Sequence, residues 1–225
     1  VTDLIDEVVD RIRSIEARPA LVAIAGAVAV GKSTLAAALA ERLAPLTVAV
    51  VATDGFLLPN AELSARGLLA KKGFPASYDA AAMRTFVADL RAGRGASVPV
   101  YDHATYDRVP GEVRRVERTD VVIVEGVNAL QPELAAAADL SIYLDAPEPL
   151  VRSWYIARFL DQIAVAENDE TSFYRGFTAL DDAGRRAMAE SVWEAVNLVN
   201  LVEHIEPTRA AADLVLVKGE GHHFG

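Results

Sequence analysis

Apolar residues open the chain at helical spacing: Leu4, Ile5, Val8, Val9, Ile12 and Ile15 share one face, which predicts a packing helix over residues 2–17, stopped by Pro19. The pattern then shortens. Leu21 to Ala25 is an apolar run of strand length, and Thr34 to Leu43 has the Ala/Leu-rich composition of a helix. Thr47 to Ala52 reads as a second strand ending at Thr53-Asp54-Gly55. Residues 55–78, rich in Gly, Pro, Asn and Lys, read as a long connection, usually functional inside a compact domain. Ser77 or Asp79 can cap a helix that ends near Arg91, with Gly93 beyond it. Val98 to Tyr101 predicts a short strand and Val113 to Val116 a local pairing, with Arg114, Arg115 and Arg118 as a solvated basic turn. Val121 to Val124 and Leu140 to Leu144 are uninterrupted apolar runs, expected of strands buried on both faces of a parallel sheet. Helices over 147–162 and 182–200 and a strand at Leu214 to Val217 complete the pattern. Strands alternating with helices imply a doubly wound, mostly parallel α/β sheet. No repeat, low-complexity tract or linker divides residues 1–225, which read as one domain.

One stretch gives this architecture a chemistry. Gly26-Ala27-Val28-Ala29-Val30-Gly31-Lys32-Ser33 matches the phosphate-binding loop, Gly, four residues, Gly-Lys-Ser, and Thr34 follows it. The loop lies between a predicted strand and a predicted helix, the context the motif requires. Gly26 and Gly31 permit backbone angles closed to other residues, so successive N–H groups can face a phosphate oxyanion. Lys32 would reach the β- and γ-phosphates, and the Ser33 hydroxyl would ligate Mg²⁺. A glycine-rich turn that only packs a helix on a sheet would have no use for Lys32 and Ser33.

Composition narrows the partners. A chain of 225 residues, 52% hydrophobic and 24% charged, suits one compact domain with a substantial core. Its net charge of −10 argues against broad attraction to nucleic acid or an anionic membrane, so phosphate binding must be local. There is no cysteine, which excludes disulfides and thiolate sites. The longest apolar run, Ala20 to Val30, is too short to span a bilayer, and the acidic start is unlike a secretory signal. The expectation is a cytoplasmic protein with a small-molecule substrate, without nucleic-acid or membrane partners.

In a sheet of this kind ligands gather at the carboxyl ends of the strands. Asp54 follows the second strand and Glu125 ends the Val121 to Val124 strand. Glu125 is placed to orient Mg²⁺, directly or through water, and Asp54 to accept a proton from a hydroxyl attacking the γ-phosphate of ATP. Either carboxylate alone would read equally well as a cap or a surface group. Arg158, on a predicted helix, could supply positive charge to phosphoryl transfer or be a surface residue. His103, between Tyr101 and Tyr106, is a candidate substrate contact; no second His or Cys lies at metal-ligand spacing, which argues against zinc. Asn197 and Asn200, three apart in an apolar helix, need partners that a ligand or a core amide network could supply. His222 and His223 read as tail, tag residue or nucleotide contact.

Together these segments resemble the type I (bacterial) pantothenate kinases, P-loop kinases related to uridine kinases and phosphoribulokinases. The resemblance runs through Gly26 to Thr34, Thr53 to Asn60, Arg66 to Asp79, Val100 to His103, Val124 to Asn128, Ser141 to Pro147, Trp154 to Phe159 and Pro207 to Arg209. It covers most of residues 21–218; Lys71-Lys72-Gly73-Phe74-Pro75 and Trp154-Tyr155-Ile156-Ala157-Arg158-Phe159 are its most specific parts. It implies a P-loop NTPase-type kinase fold, a homodimer, and ATP- and Mg²⁺-dependent phosphorylation of the primary hydroxyl of pantothenate. On that resemblance Asp54 is the base, Lys32, Ser33 and Glu125 handle phosphates and Mg²⁺, and Arg158 stabilises the transferring phosphoryl group. Lys72, Tyr101, His103, Tyr106, Tyr155 and Asn197 line the pantothenate side. Ala37 and Gln162 depart from the family, which usually has an Arg and an aromatic there near the pocket where coenzyme A inhibits; the departure implies weak inhibition. The competing readings are a related P-loop kinase acting on a nucleoside, sugar or other hydroxy acid, and a non-catalytic ATP-binding regulatory module.

Overall fold

Seven strands and seven α-helices of four residues or more are seen among residues 4–220, those a computed structural model describes, with a three-residue helix at Leu198–Asn200 besides. Strands β1 (Ala20–Gly26), β2 (Val48–Ala52), β5 (Val121–Glu125), β6 (Leu140–Asp145) and β7 (Leu214–Val217) form one parallel sheet in the order β2-β5-β1-β6-β7. Strands β3 (Ala96–Asp102) and β4 (Asp107–Val116) form a separate antiparallel hairpin. The helices are α1 (Leu4–Arg13), α2 (Lys32–Arg42), α3 (Asn60–Ala65), α4 (Ala80–Arg91), α5 (Pro132–Ala135), α6 (Glu148–Ala166) and α7 (Asp182–Val192).

Every residue of β1 and β5 is buried, and the period-two alternation of a strand sends successive side chains to opposite faces. Val22, Ile24, Val121, Ile123 and Ile142 join the apolar faces of α1, α2, α6 and α7 in one core. Leu21, Val51, Val122 and Val124 join α4 and the hairpin in a second core on the other face. With each buried aliphatic side chain stabilising by about 1.5–3 kcal/mol, the middle of the sheet is rigid. The carboxyl ends of β1, β2 and β5 are thereby fixed relative to one another.

Several expected boundaries move. The first helix ends at Arg13, with Ile5, Val8, Val9 and Ile12 buried as its spacing implied. The 55–78 connection contains α3 and three-residue helical turns rather than a structureless loop. Asp79, not Ser77, caps α4 by accepting from the Ala82 N–H at 2.9 Å. Val98 to Tyr101 lies outside the main sheet, and Arg114 and Arg115 belong to β4 rather than to a turn, where Arg114 donates to the Val50 carbonyl. The helix expected over 182–200 is α-helical to Val192 and then passes through π-helical turns at Trp193–Asn197 and Leu201–Ile205. His222 and His223 lie outside the described residues.

Candidate active site

The phosphate loop joins β1 to α2, and its last glycine, Gly31, has φ +105°, a left-handed conformation that a side chain resists. Gly31 is also the residue that caps α2, and no side chain bonds the first-turn N–H groups. Those donors, with the partial positive charge of the helix end, are left for an anion. Lys32 is buried and donates from Nζ to the Ala27 carbonyl at 2.7 Å. Burial pulls its pKa down from 10.5 to about 8, opposed by Glu125 and Asp54 and assisted by Arg158. An arriving phosphate would reverse that desolvation by supplying opposite charge.

The Ser33 hydroxyl donates to Glu125 Oε1 at 2.8 Å, joining the first turn of α2 to the end of β5. Two oxygen ligands this close, one of them a carboxylate, suit a hard cation such as Mg²⁺, which takes the rest of its shell from phosphates and water. No group of three or more metal-ligating side chains occurs among the described residues. Asp54 stands in the turn after β2, the strand next to β5, with Oδ2 3.8 Å from His103 Nε2.

A cavity of about 520 Å³ brings these groups together. Its phosphate end is lined by Val28, Ala29, Gly31, Lys32, Ser33, Thr34 and Glu125; Gly26, Ala27 and Val30 are not among the lining residues. Asp54 and Arg158 line the same cavity, as do Lys72, Tyr101, His103, Tyr106, Tyr155 and Asn197. Arg158 is exposed and has no hydrogen bond or ion pair among the described residues, so its charge is available to a ligand.

Lys72 is buried, donates to Asn60 Oδ1 at 2.6 Å and to the Tyr106 carbonyl, and lies 4.3 Å from the Tyr106 ring centre and 5.0 Å from that of Tyr101. Burial lowers its pKa to about 8, against Asp107 and Asp54. Tyr106 holds a left-handed backbone, φ 56°, at the tip of the β3–β4 hairpin and stacks on Phe173 at 4.7 Å. Such a conformation in a non-glycine residue persists only where its surroundings hold it. Burial raises the phenols of Tyr101, Tyr106 and Tyr155, which therefore serve as neutral hydrogen-bonding groups.

All the residues expected on the substrate side, and both carboxylates, thus share one cavity; Gln162 lines it too, while Ala37 is exposed on α2. Sequence reasoning passed over Lys218. Placed directly after β7, it donates from Nζ to the Val30 carbonyl at 2.9 Å and lies 4.7 Å from the Trp154 ring centre, bracing the phosphate loop from behind. The only sequence signal is a cation at a strand's carboxyl end. Asn60, Asn128 and Trp154 lie within the motif segments above, whose pattern alone assigns them no role. The π-helical turns that carry Asn197 are of a kind frequent at functional sites.

The sequence profile of the phosphoribulokinase / uridine kinase family matches residues 21–162. The pantothenate kinase of Sorangium cellulosum (strain So ce56) is 48% identical over 222 residues, which make up 93% of this chain and 72% of that protein. The pantothenate kinase of Bacillus velezensis is 44% identical over 221 residues, 91% of this chain and 69% of that protein. Among solved structures, a candidate fructose transport system kinase from Silicibacter sp. TM1040 superposes with a TM-score of 0.76 at 30% identity, covering 94% of this chain and 96% of that one. Phosphoribulokinase from Rhodobacter, at 12% identity and a TM-score of 0.58 over 90% of this chain and 71% of that one, shares the fold.

Proposed function

The chain belongs to the pantothenate kinases of the phosphoribulokinase / uridine kinase family, and from this we infer that it transfers the γ-phosphoryl group of ATP to the primary hydroxyl of pantothenate. The observation that carries the reading is the single cavity in which the phosphate loop, Ser33–Glu125, Asp54 and Lys72 converge. Lys32 and the uncapped N–H groups of α2 bind the nucleotide phosphates. Ser33 and Glu125 would hold Mg²⁺, which when bound offsets phosphate charge.

Asp54 takes the proton of the acceptor hydroxyl as its oxygen bonds to the γ-phosphorus. The bond from that phosphorus to the β,γ-bridging oxygen breaks, and ADP leaves. Arg158, without a hydrogen bond or ion pair among the described residues, stabilises charge on the transferring group. Lys72, His103, Tyr101, Tyr106, Tyr155 and Asn197 orient the acceptor, whose hydrogen-bonding groups match this polar wall. A homodimer and a cytoplasmic setting accompany this reading; no helix among the described residues is long and apolar enough to cross a membrane.

The test is a coupled ATP-consumption assay with Mg²⁺ and, separately, pantothenate, uridine, cytidine, glycerate and ribulose 5-phosphate. Turnover with pantothenate alone is expected. Turnover with a different acceptor would retain the Asp54 chemistry and discard the pantothenate assignment, and nucleotide binding without turnover would favour a regulatory module.

A further inference from the structure

The carbonyl of Gly73 accepts two side-chain amides at once, Asn128 Nδ2 at 2.7 Å and Asn200 Nδ2 at 2.9 Å. Asn128 comes from the turn after β5, three residues beyond Glu125, and Asn200 from the helical segment between the two π-helical turns. They are 2% and 6% exposed. Asn200 leaves its Oδ1 buried without a hydrogen-bond partner, an arrangement that disfavours an amide held there for packing alone. Asn128 Oδ1 is likewise buried without a partner, and the side-chain hydrogen bond of Asn200 is the one its Nδ2 makes to Gly73.

Gly73 follows Lys72, and its peptide groups lie outside any regular element. Its N–H donates to Ser77 Oγ at 2.9 Å, so both its N–H and its C=O are bonded by side chains. A lysine side chain has many rotamers, and fixing the backbone at its root restricts where its ammonium can go. The far end is fixed by Asn60 and the Tyr106 carbonyl. Two neutral amides also suit this place. A cationic donor at Gly73 would stand beside an ammonium whose proton burial already loosens.

We propose that Asn128 and Asn200 are positioning residues that clamp the Gly73 carbonyl and so hold Lys72 in place for the acceptor, tying the acceptor wall to the strand end that carries Glu125. The proposal rests on the reading of Lys72 as an acceptor contact. It deepens that reading by naming two groups that act through the Gly73 backbone; Asn200 also lines the cavity and Asn128 does not, so Asn128 separates positioning from direct contact.

Two measurements test it. Steady-state kinetics on wild type, Asn200→Ala, Lys72→Ala and the double variant should show the pantothenate KM rising about tenfold in N200A, the ATP KM changing by less than about twofold, and the double variant no worse than K72A alone. Trypsin reads the clamp without substrate: cleavage after Lys71 and Lys72 should accelerate about tenfold in N200A, because the loop opens locally while the sheet stays folded. Asn128→Asp, close to isosteric but without the amide donor, should act in the same direction and serves if N200A does not fold. Unchanged cleavage with additive KM effects overturns the clamp and leaves the Lys72 reading intact. Loss of pantothenate and ATP affinity in parallel also overturns it, as that marks a general structural role. A wild type that cleaves ATP with no pantothenate dependence overturns the reading of the acceptor site, and the kinetic part of the proposal with it.

Discussion

Replacing Lys32 with methionine should make the nucleotide-free protein more stable while abolishing its activity. Burial takes the ammonium from 10.5 to about 8, even though Glu125 and Asp54 pull the other way. Keeping that charge inside the folded protein therefore costs about 3 kcal/mol at neutral pH. Methionine fills similar space without charge but loses the bond to the Ala27 carbonyl, which for a charged donor contributes about 1.5–3 kcal/mol at most. The balance is a gain of up to about 1–2 kcal/mol, or roughly 2–8 °C in Tm for a domain of this size. The unfolded lysine keeps its proton to 10.5 and the folded one releases it at about 8, so between these values the unfolded chain binds more protons. Wild-type stability must then rise with pH in that window. The advantage of K32M should be full below pH 8 and vanish towards pH 10.5. Urea unfolding of both proteins without nucleotide, at pH 7 and pH 10, measures it. A variant less stable than wild type at pH 7, or an advantage that does not shrink with pH, would refute the claim that this site stores unfavourable charge for its ligand.

Asp54→Asn should retain nucleotide affinity by calorimetry and lose at least about two orders of magnitude in kcat, as expected for removal of a general base. With Lys32 and Lys72 both lowered to about 8 by burial, kcat/KM should fall above pH 8; kcat should hold further, because bound phosphate keeps Lys32 protonated. A kcat/KM flat to about pH 10 would contradict this. Gly126→Ala would place a Cβ 1.7 Å from Thr53 Oγ1, so the turn carrying Glu125 must shift. A loss of about 1–3 kcal/mol in urea unfolding and a raised Mg²⁺ requirement are expected.

The parallel strands were legible because each is a local apolar run: β5 is buried at all five positions, and its residues say so. The phosphate loop was legible for the same reason, since its motif fits within eight residues. Non-local features were not. Lys218 meets Val30 across 188 positions of sequence, and nothing near Lys218 announces the contact. β4 escaped full recognition because its hairpin is half solvated; Val113 is 62% exposed, and Pro110 and Gly111 interrupt its apolar alternation. The π-helical turns were also hidden: they add a residue to a turn without changing the composition of the segment, and only in the fold do Asn197 and Asn200 come to line the cavity.

The pairing of β2 with β5 has a consequence for how acceptor choice changes. Ala52 and Glu125 are register partners, so the chain leaves the sheet after one strand and re-enters it on the strand alongside. Residues 53–120 are thus a cassette set into a frame that carries the phosphate loop together with Tyr155 and Asn197. Asp54, Lys72, Tyr101, His103 and Tyr106 all travel within it. Exchanging that cassette between kinases should shift acceptor preference, to the extent that Tyr155 and Asn197 suit the new acceptor, and leave the phosphate loop untouched. The transplant would need compatible amides at 128 and 200, outside the cassette, because the Gly73 carbonyl would otherwise arrive in its new host without the two groups that hold it.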